Sequence, residues 1–131
     1  MKLTPHFTLE EMTTTHLPAL QTKPALETIV HLCYLCAVIL EPLREAIGKP
    51  VKINSGYRGR ELNKAVGGVW NSYHLTGRAA DIHCDTLADA RLILAVLKDN
   101  PHVDLAMVER KSTTWVHVQW SENPRHIIRN S

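Results

Sequence analysis

The alternation of apolar and polar positions predicts an ordered series of helices and strands. Residues 24–47 are apolar on nearly every side and predict a long buried helix. Pro42 is expected to kink or divide this helix near Glu41, because proline lacks the amide hydrogen that a helix uses. Thr86 precedes an amphipathic run and predicts a capped helix over 87–98.

Strand-like alternation predicts a small sheet. Short alternating runs predict four strands, at 51–53, 79–83, 104–109 and 115–120. Two shorter helical segments are expected, one after a capping box at 8–11 and one over 61–66. These elements favour an α+β fold, with helices packed on one face of a mainly antiparallel sheet and a site on the other face.

Length and composition predict a single domain over residues 1–131. The polar stretch 121–131 is expected to be an edge strand or a loose C-terminal tail. Apolar residues make up 44% and charged residues 21%, as in soluble globular proteins. The net charge of +2, without a basic run, argues against a nucleic-acid interface.

The N-terminal residues contain no apolar core of a secretory signal, so synthesis in the cytoplasm is expected. The most apolar stretch, 29–40, is too short to span a bilayer, and we expect a monomer without membrane insertion. Cys33, Cys36 and Cys84 are odd in number, which argues against a closed disulfide framework. The C-x-x-C pair lies inside the apolar helix and favours core packing over redox or metal chemistry.

A metal site is predicted by residues 72–81, Ser-Tyr-His-Leu-Thr-Gly-Arg-Ala-Ala-Asp. A bend at Gly77 would bring His74 back beside Asp81. Asp81 lies in an apolar strand, where an unpaired charge is costly. With His117 these residues form the two-histidine, one-carboxylate set of a catalytic zinc that keeps a position for water. Iron and other divalent ions suit the same set.

His83 is the chief rival ligand, because it shares a strand face with Asp81. One strand step places it about 7 Å further along, so His117 ranks above it.

Three segments in order resemble peptidase family M15, the zinc D-alanyl-D-alanine carboxypeptidases and endolysins. They are SGYR (55–58), SxHxxGRAAD (72–81) and WVHV (115–118). The likeness is greatest to short, single-domain phage and prophage members. It implies a fold like that of DD-peptidases and Hedgehog domains, a Zn²⁺ cofactor, and hydrolysis of peptidoglycan stem peptides by activated water. It also implies a bacterial host, with delivery to the cell wall by a phage lysis system or virion. D-Ala-D-Ala carboxypeptidase and L-Ala-D-Glu-type endopeptidase activities both remain open.

The resemblance also implies a general base. Many members place an acid three residues before the last histidine, where this chain has Thr114. For the short members, the resemblance implies instead a glutamate at the end of the preceding strand, and that residue is Glu109 here. A turn of odd length over 110–114 would set Glu109 opposite Trp115, on the same face as His117. An even-length turn would send it to the other face.

Substrate contacts are predicted beside this site. The resemblance implies that Arg58 binds the substrate carbonyl or stabilises the developing oxyanion, for which a guanidinium fork is suited. Ser72 either hydrogen-bonds the substrate or shapes its loop, and Tyr57 and Trp115 are expected to form pocket walls. Thr114 at the usual acidic position keeps an alternative open, a non-catalytic zinc-stabilised binding or virion structural module of the same fold.

Overall fold

The computed structural model describes residues 1–130. Its strands are β1 (Lys2–Thr4), β2 (Phe7–Thr8), β3 (Ile53–Ser55), β4 (Ala79–Cys84), β5 (Val103–Arg110), β6 (Thr114–Trp120) and β7 (Ile127–Arg129). The first two form a hairpin, and the other five form one sheet in the order β3-β4-β6-β5-β7. All neighbours in that sheet are antiparallel except β5 and β7, which are parallel.

Within residues 1–130, five α-helices accompany the sheet. They are α1 (Leu9–Met12), α2 (Leu26–Leu35), α3 (Glu41–Ile47), α4 (Arg60–Ala65) and α5 (Leu87–Lys98), with 3-10 turns at Pro18–Leu20 and Tyr73–Thr76. One face of β4, β5 and β6 packs with α2, α3 and α5 in a single apolar core. The α+β fold with helices on one face is therefore confirmed, and the opposite face is left for polar side chains.

The predicted long helix is interrupted before Pro42. A π-helical turn, Cys36–Leu40, joins α2 to α3. Pro42 has no amide hydrogen to offer the carbonyl of Val38 one turn earlier. That carbonyl instead accepts a hydrogen bond of 2.8 Å from the side chain of Asn100, which follows α5. The irregularity therefore has a local cause and a partner from elsewhere in the fold.

The combined segment Leu26–Ile47 is long and apolar enough, by length and composition, to cross a membrane. In this structure part of its surface contributes to the core. The buried members are Leu32, Leu35, Cys36, Ile39, Leu40 and Leu43. The same length and composition occur in core helices of globular domains.

The β5–β6 hairpin has the register that an odd-length turn predicts. Glu109 pairs with Trp115, and Met107 pairs with His117. The strands run one residue further than expected, so that only 111–113 form the turn. Glu109 and His117 therefore lie on the same, non-core face of the sheet.

The C-terminal segment is not a loose tail, and that part of the prediction is wrong within the described residues. Ile127–Arg129 forms an edge strand, which was the other alternative, and pairs in parallel with Leu105–Met107. Arg125 anchors the approach to this strand through an ion pair of 2.7 Å with Asp104. The segment looked loose because its partners are distant in sequence. Strand β3 also begins at Ile53, two residues later than predicted.

Candidate metal centre and active site

Three ligand-type side chains converge on the open face of the sheet. His74, Asp81 and His117 each offer an atom within 4.8 Å of the others. Asp81 on β4 and His117 on β6 are direct cross-strand partners. Oδ1 of Asp81 lies 3.0 Å from Nδ1 of His117 and 3.3 Å from Nε2 of His74. The structure therefore brings together the three residues that the sequence singled out.

A short turn places His74 beside β4. The hydroxyl of Ser72 accepts a hydrogen bond of 3.1 Å from the amide of His74 and so caps the turn Tyr73–Thr76. Gly77 ends it with a φ of +75°, and a Cβ there would lie 2.6 Å from the carbonyl oxygen of Thr28. Glycine is required for both reasons. The predicted bend is confirmed, and Ser72 shapes the loop.

The ring of His74 is held in one orientation. Its Nδ1 lies 2.6 Å from the carbonyl oxygen of Gly56, which can only accept, so Nδ1 carries the hydrogen. Burial lowers the pKa of His74, which favours the neutral ring. The lone pair of Nε2 then faces a carboxylate oxygen of Asp81 at 3.3 Å. Two acceptors in this position repel unless a cation lies between them.

Asp81 and His117 form the charged half of the cluster. Burial opposes the carboxylate, but the hydrogen bond from His117 and the positive charge of that ring outweigh it and hold the pKa of Asp81 well below its usual range. Burial likewise opposes a charged His117, yet the hydrogen bond and charge of Asp81 raise the pKa of that ring. A metal ion at Nδ1 of His117 therefore competes with a proton.

The donor set fits zinc. Zinc bonds of about 2.0–2.1 Å in a tetrahedron place neighbouring ligand atoms about 3.3 Å apart. The distances from Asp81 to the two imidazoles, 3.0 and 3.3 Å, are close to that value. Both histidines also have partners for the nitrogen that points away, Gly56 for His74 and Gln119 for His117. Such partners are usual behind histidine ligands.

Arg58 lies beside Asp81. One terminal nitrogen donates to Oδ2 of Asp81 at 3.1 Å, the other donates to Oδ1 of Asn63 at 3.2 Å, and Nε donates to Ser55 at 3.0 Å. Burial lowers the pKa of Arg58, although the negative charges of Asp81 and Glu109 act to raise it. These bonds occupy three of five N–H groups, so two remain for a substrate. Its substrate role stays a prediction. Sequence reasoning left Asn63 unassigned and missed Ser55.

Glu109 lies diagonally across the hairpin from His117. Its side chain is partly exposed on the metal face, and its negative charge favours the protonated forms of His117 and Arg58. Within residues 1–130 its carboxylate has no hydrogen-bond partner. Thr114 belongs to β6 and lies an odd number of residues from His117, so it lies on the opposite face. An acid at position 114 would therefore not face the cluster.

Of the two residues predicted to form pocket walls, one lines a cleft and the other lies in the core. Trp115 and Asp81 line a cleft of about 530 Å³, whose wall also carries Lys52, His16 and His83. Tyr57 was expected to line a pocket, but the structure buries it in the core, with its hydroxyl 2.8 Å from that of Thr22. The ring of Tyr57 buries more apolar surface in the core than it would beside a polar site. The structure therefore places Tyr57 in the core and not in a pocket wall.

The rival features have other partners. Nε2 of His83 lies 2.8 Å from Asp85 and outside the three-residue cluster. The cysteines are free thiols. Burial raises the pKa of Cys36 to about 12 and that of Cys84 to about 11, so both stay protonated at neutral pH. Core packing accounts for Cys36 and Cys84, and Cys33 is only partly buried.

Comparison with known proteins agrees with this geometry. The model of the family described as Peptidase M15 matches residues 5–119. The chain therefore belongs to the M15 peptidase family. A curated relative, the zinc D-Ala-D-Ala carboxypeptidase of Streptomyces albus G, is 46% identical over 44 residues. That match covers 33% of this chain and 17% of the relative. The family is described as one of peptidases, and the relative is named as a zinc enzyme.

Proposed function

We propose that this protein hydrolyses peptide bonds in the stem peptides of peptidoglycan, with a zinc ion held by His74, Asp81 and His117. The observation that carries the proposal is the lone pair of His74 facing a carboxylate of Asp81 at 3.3 Å. A buried arrangement of this kind calls for a cation. Zinc bound there would polarise the scissile carbonyl and lower the pKa of water to about 7.

Glu109 is the proposed general base. It lies on the metal face, next to the row of His117, and has no competing hydrogen bond within residues 1–130. It would take a proton from the attacking water as the new carbon–oxygen bond forms. It would then give that proton to the amide nitrogen as the carbon–nitrogen bond breaks, which returns the carboxylate to its starting state.

Arg58 is the proposed electrostatic stabiliser. Its bonds to Ser55, Asn63 and Asp81 hold the guanidinium rigidly at the edge of the cluster. Its remaining N–H groups would donate to the carbonyl oxygen as negative charge develops there. Preorganisation by three partners is what makes such donors effective, because they need not reorient during the reaction.

The cleft beside Trp115 supports a peptide substrate. Its volume of about 530 Å³ falls within the range of about 300–1,000 Å³ typical of ligand sites. Lys52 on its wall suits the carboxylates of a stem peptide. The relative from Streptomyces albus is named for D-Ala-D-Ala carboxypeptidase activity. Cleavage within the stem, as by a phage or prophage endolysin, is the other form of the proposal.

A mass-spectrometric digest of purified peptidoglycan tests the proposal. We expect new stem fragments with the zinc-loaded protein and none with His74→Ala. Glu109→Gln should keep one zinc per chain and lose turnover by about 10²–10⁴-fold, the usual contribution of a general base. Glu45→Gln, on the exposed surface of α3, is the matched control and should digest normally.

The fragment masses identify the bond that is cut. Release of a single D-alanine indicates a carboxypeptidase, whereas loss of a longer peptide indicates an endopeptidase. If the wild-type protein binds one zinc and releases no fragment from any stem chemotype, the alternative of a zinc-stabilised binding or virion structural module replaces the proposal.

A further inference from the structure

A chain of hydrogen bonds runs behind His117, away from the metal face. Nε2 of His117 lies 2.7 Å from Oε1 of Gln119, and Nε2 of Gln119 donates to Oδ2 of Asp104 at 2.9 Å. Arg125 donates to both oxygens of Asp104, and Ser121 donates to Oδ1. No step of the proposed reaction uses Gln119, Asp104 or Arg125.

The direction of this chain follows from donor and acceptor chemistry. A glutamine amide can present either its oxygen or its NH₂ group to an imidazole. A carboxylate only accepts, so Asp104 must receive the NH₂ group of Gln119, and the oxygen of Gln119 is left for His117. Nε2 of His117 must then carry a hydrogen. In the neutral ring, the lone pair therefore lies on Nδ1, which faces Asp81.

Local structure keeps Asp104 in this role. A register shift between Val103 and Leu105 makes Asp104 the extra residue of a β-bulge, a device that re-aims a side chain. The residue is 1% exposed, and five hydrogen bonds satisfy its carboxylate. Two of its donors, Ser121 and Arg125, come from the segment that ends in β7. This segment therefore lies three hydrogen bonds from a ligand-type histidine.

We propose that Asp104, oriented by Arg125, sets the amide of Gln119 and, through it, the tautomer of His117 that can bind a metal ion at Nδ1. Asp104, Gln119 and Arg125 are positioning residues in this scheme. The inference rests on the proposed metal site but not on peptidase activity.

An isosteric substitution should reverse the chain. In Asp104→Asn, the Oδ1 position meets three donors and Oδ2 meets two, so the amide oxygen should occupy the Oδ1 position. The new NH₂ group would then face Gln119, whose amide would turn and present its own NH₂ group to His117. That favours a hydrogen on Nδ1. We expect the zinc dissociation constant to rise about 10–100-fold, as for other residues behind a metal ligand.

A second exchange should restore the chain. In the double variant Asp104→Asn with Gln119→Glu, the new carboxylate accepts from both His117 and the amide at 104, while the amide oxygen still accepts from Arg125. Shape and net charge match those of the wild type. Zinc affinity should return to within about threefold of wild type, a difference of well under 1.4 kcal/mol. A role in packing alone predicts no loss in the single variant and no recovery in the double one.

The experiment measures zinc affinity by chelator competition, and it records ¹⁵N spectra of the zinc-loaded histidine rings. The wild type should show a hydrogen on Nε2 of His117 and the double variant should match it. Asp99→Asn, an exposed carboxylate after α5, is the isosteric control. Thermal unfolding with chelator present reports folding separately. Arg125→Met, at a half-exposed side chain, replaces Asp104→Asn if that variant does not fold, with a smaller loss in the same direction.

Unchanged zinc affinity in Asp104→Asn, or no recovery in a folded double variant, overturns the inference. A wild-type protein that binds no zinc overturns it together with the proposed function. Zinc binding without peptide hydrolysis contradicts only the proposed function, because the affinity series still reports on the hydrogen-bond chain.

Discussion

Asp81 and Asp104 are two buried carboxylates of the same sheet with opposite surroundings. Both have a pKa held below the usual range, and both contact an arginine. Asp104 is surrounded by N–H and O–H donors that satisfy both oxygens. Asp81 faces Nε2 of His74, whose hydrogen lies on the far side of the ring. A buried carboxylate with a full set of donors is complete, whereas one that faces a lone pair requires a cation.

The largest effect should come from Asp81→Asn. The substitution keeps the shape but removes the charge that holds a cation between two imidazoles. We expect zinc affinity to fall by more than about 100-fold, the upper end for residues that act through a ligand. Elemental analysis after dialysis measures the zinc content. Asp99→Asn is the control, and a larger loss in Asp104→Asn than in Asp81→Asn would reverse the comparison.

Arg58→Lys should have the next largest effect, on turnover rather than on zinc. Lysine keeps the charge beside Asp81 but cannot contact Ser55, Asn63 and Asp81 in a fork. We expect kcat to fall about 10²–10³-fold, as when an oxyanion donor is lost, while zinc content stays near one per chain. Arg60→Lys, at an exposed neighbour, is the control. Loss of zinc in Arg58→Lys would show instead that the arginine mainly maintains Asp81.

The smallest effect concerns acid stability and Asp104. The hydrogen bond from Arg125 is the main cause of its depressed pKa, so the carboxylate stabilises the fold above its unfolded-state pKa of about 4. That contribution should be lost as the pH falls below this value, toward the depressed pKa of the folded state. Each pKa unit corresponds to about 1.4 kcal/mol.

Urea unfolding from pH 7 to pH 2, with chelator present, measures this effect. The difference in unfolding free energy between wild type and Asp104→Asn should be constant from pH 7 to about 5 and narrow below about 4. A difference that grows as the pH falls would contradict the assignment.

Local patterns predicted what local forces determine. The helix over 87–98 and its Thr86 cap were predicted at the bounds observed, because the cap and the apolar period lie within one segment. Alternation also predicted the two strands of the β5–β6 hairpin, whereas the pairing of Glu109 with Trp115 depended on an odd-length turn that alternation alone did not determine. The bend at Gly77 was predictable because few residues other than glycine adopt a positive φ such as its +75°.

What escaped prediction depends on contacts between distant segments. The bulge at Asp104 and its pairing with Arg125 join residues 21 apart, and neither residue has a local signature. Asn63 lies buried on α4, and its bonds to Arg58 and to the carbonyl oxygen of Val69 have no local signature in the sequence. Gln119 offered the one usable signal, since it lies two residues after His117 and therefore on the same strand face.

Gly56 contacts both the N-terminal helix α1 and the metal centre. A Cβ at this position would clash with the carbonyl oxygen of Met12, so even alanine would push apart α1 and the loop before α4. The same residue's carbonyl holds the ring of His74. A genetic screen for loss of zinc should therefore recover substitutions at Gly56. Such a result would resemble the loss of a metal ligand, although Gly56 contributes no ligand atom.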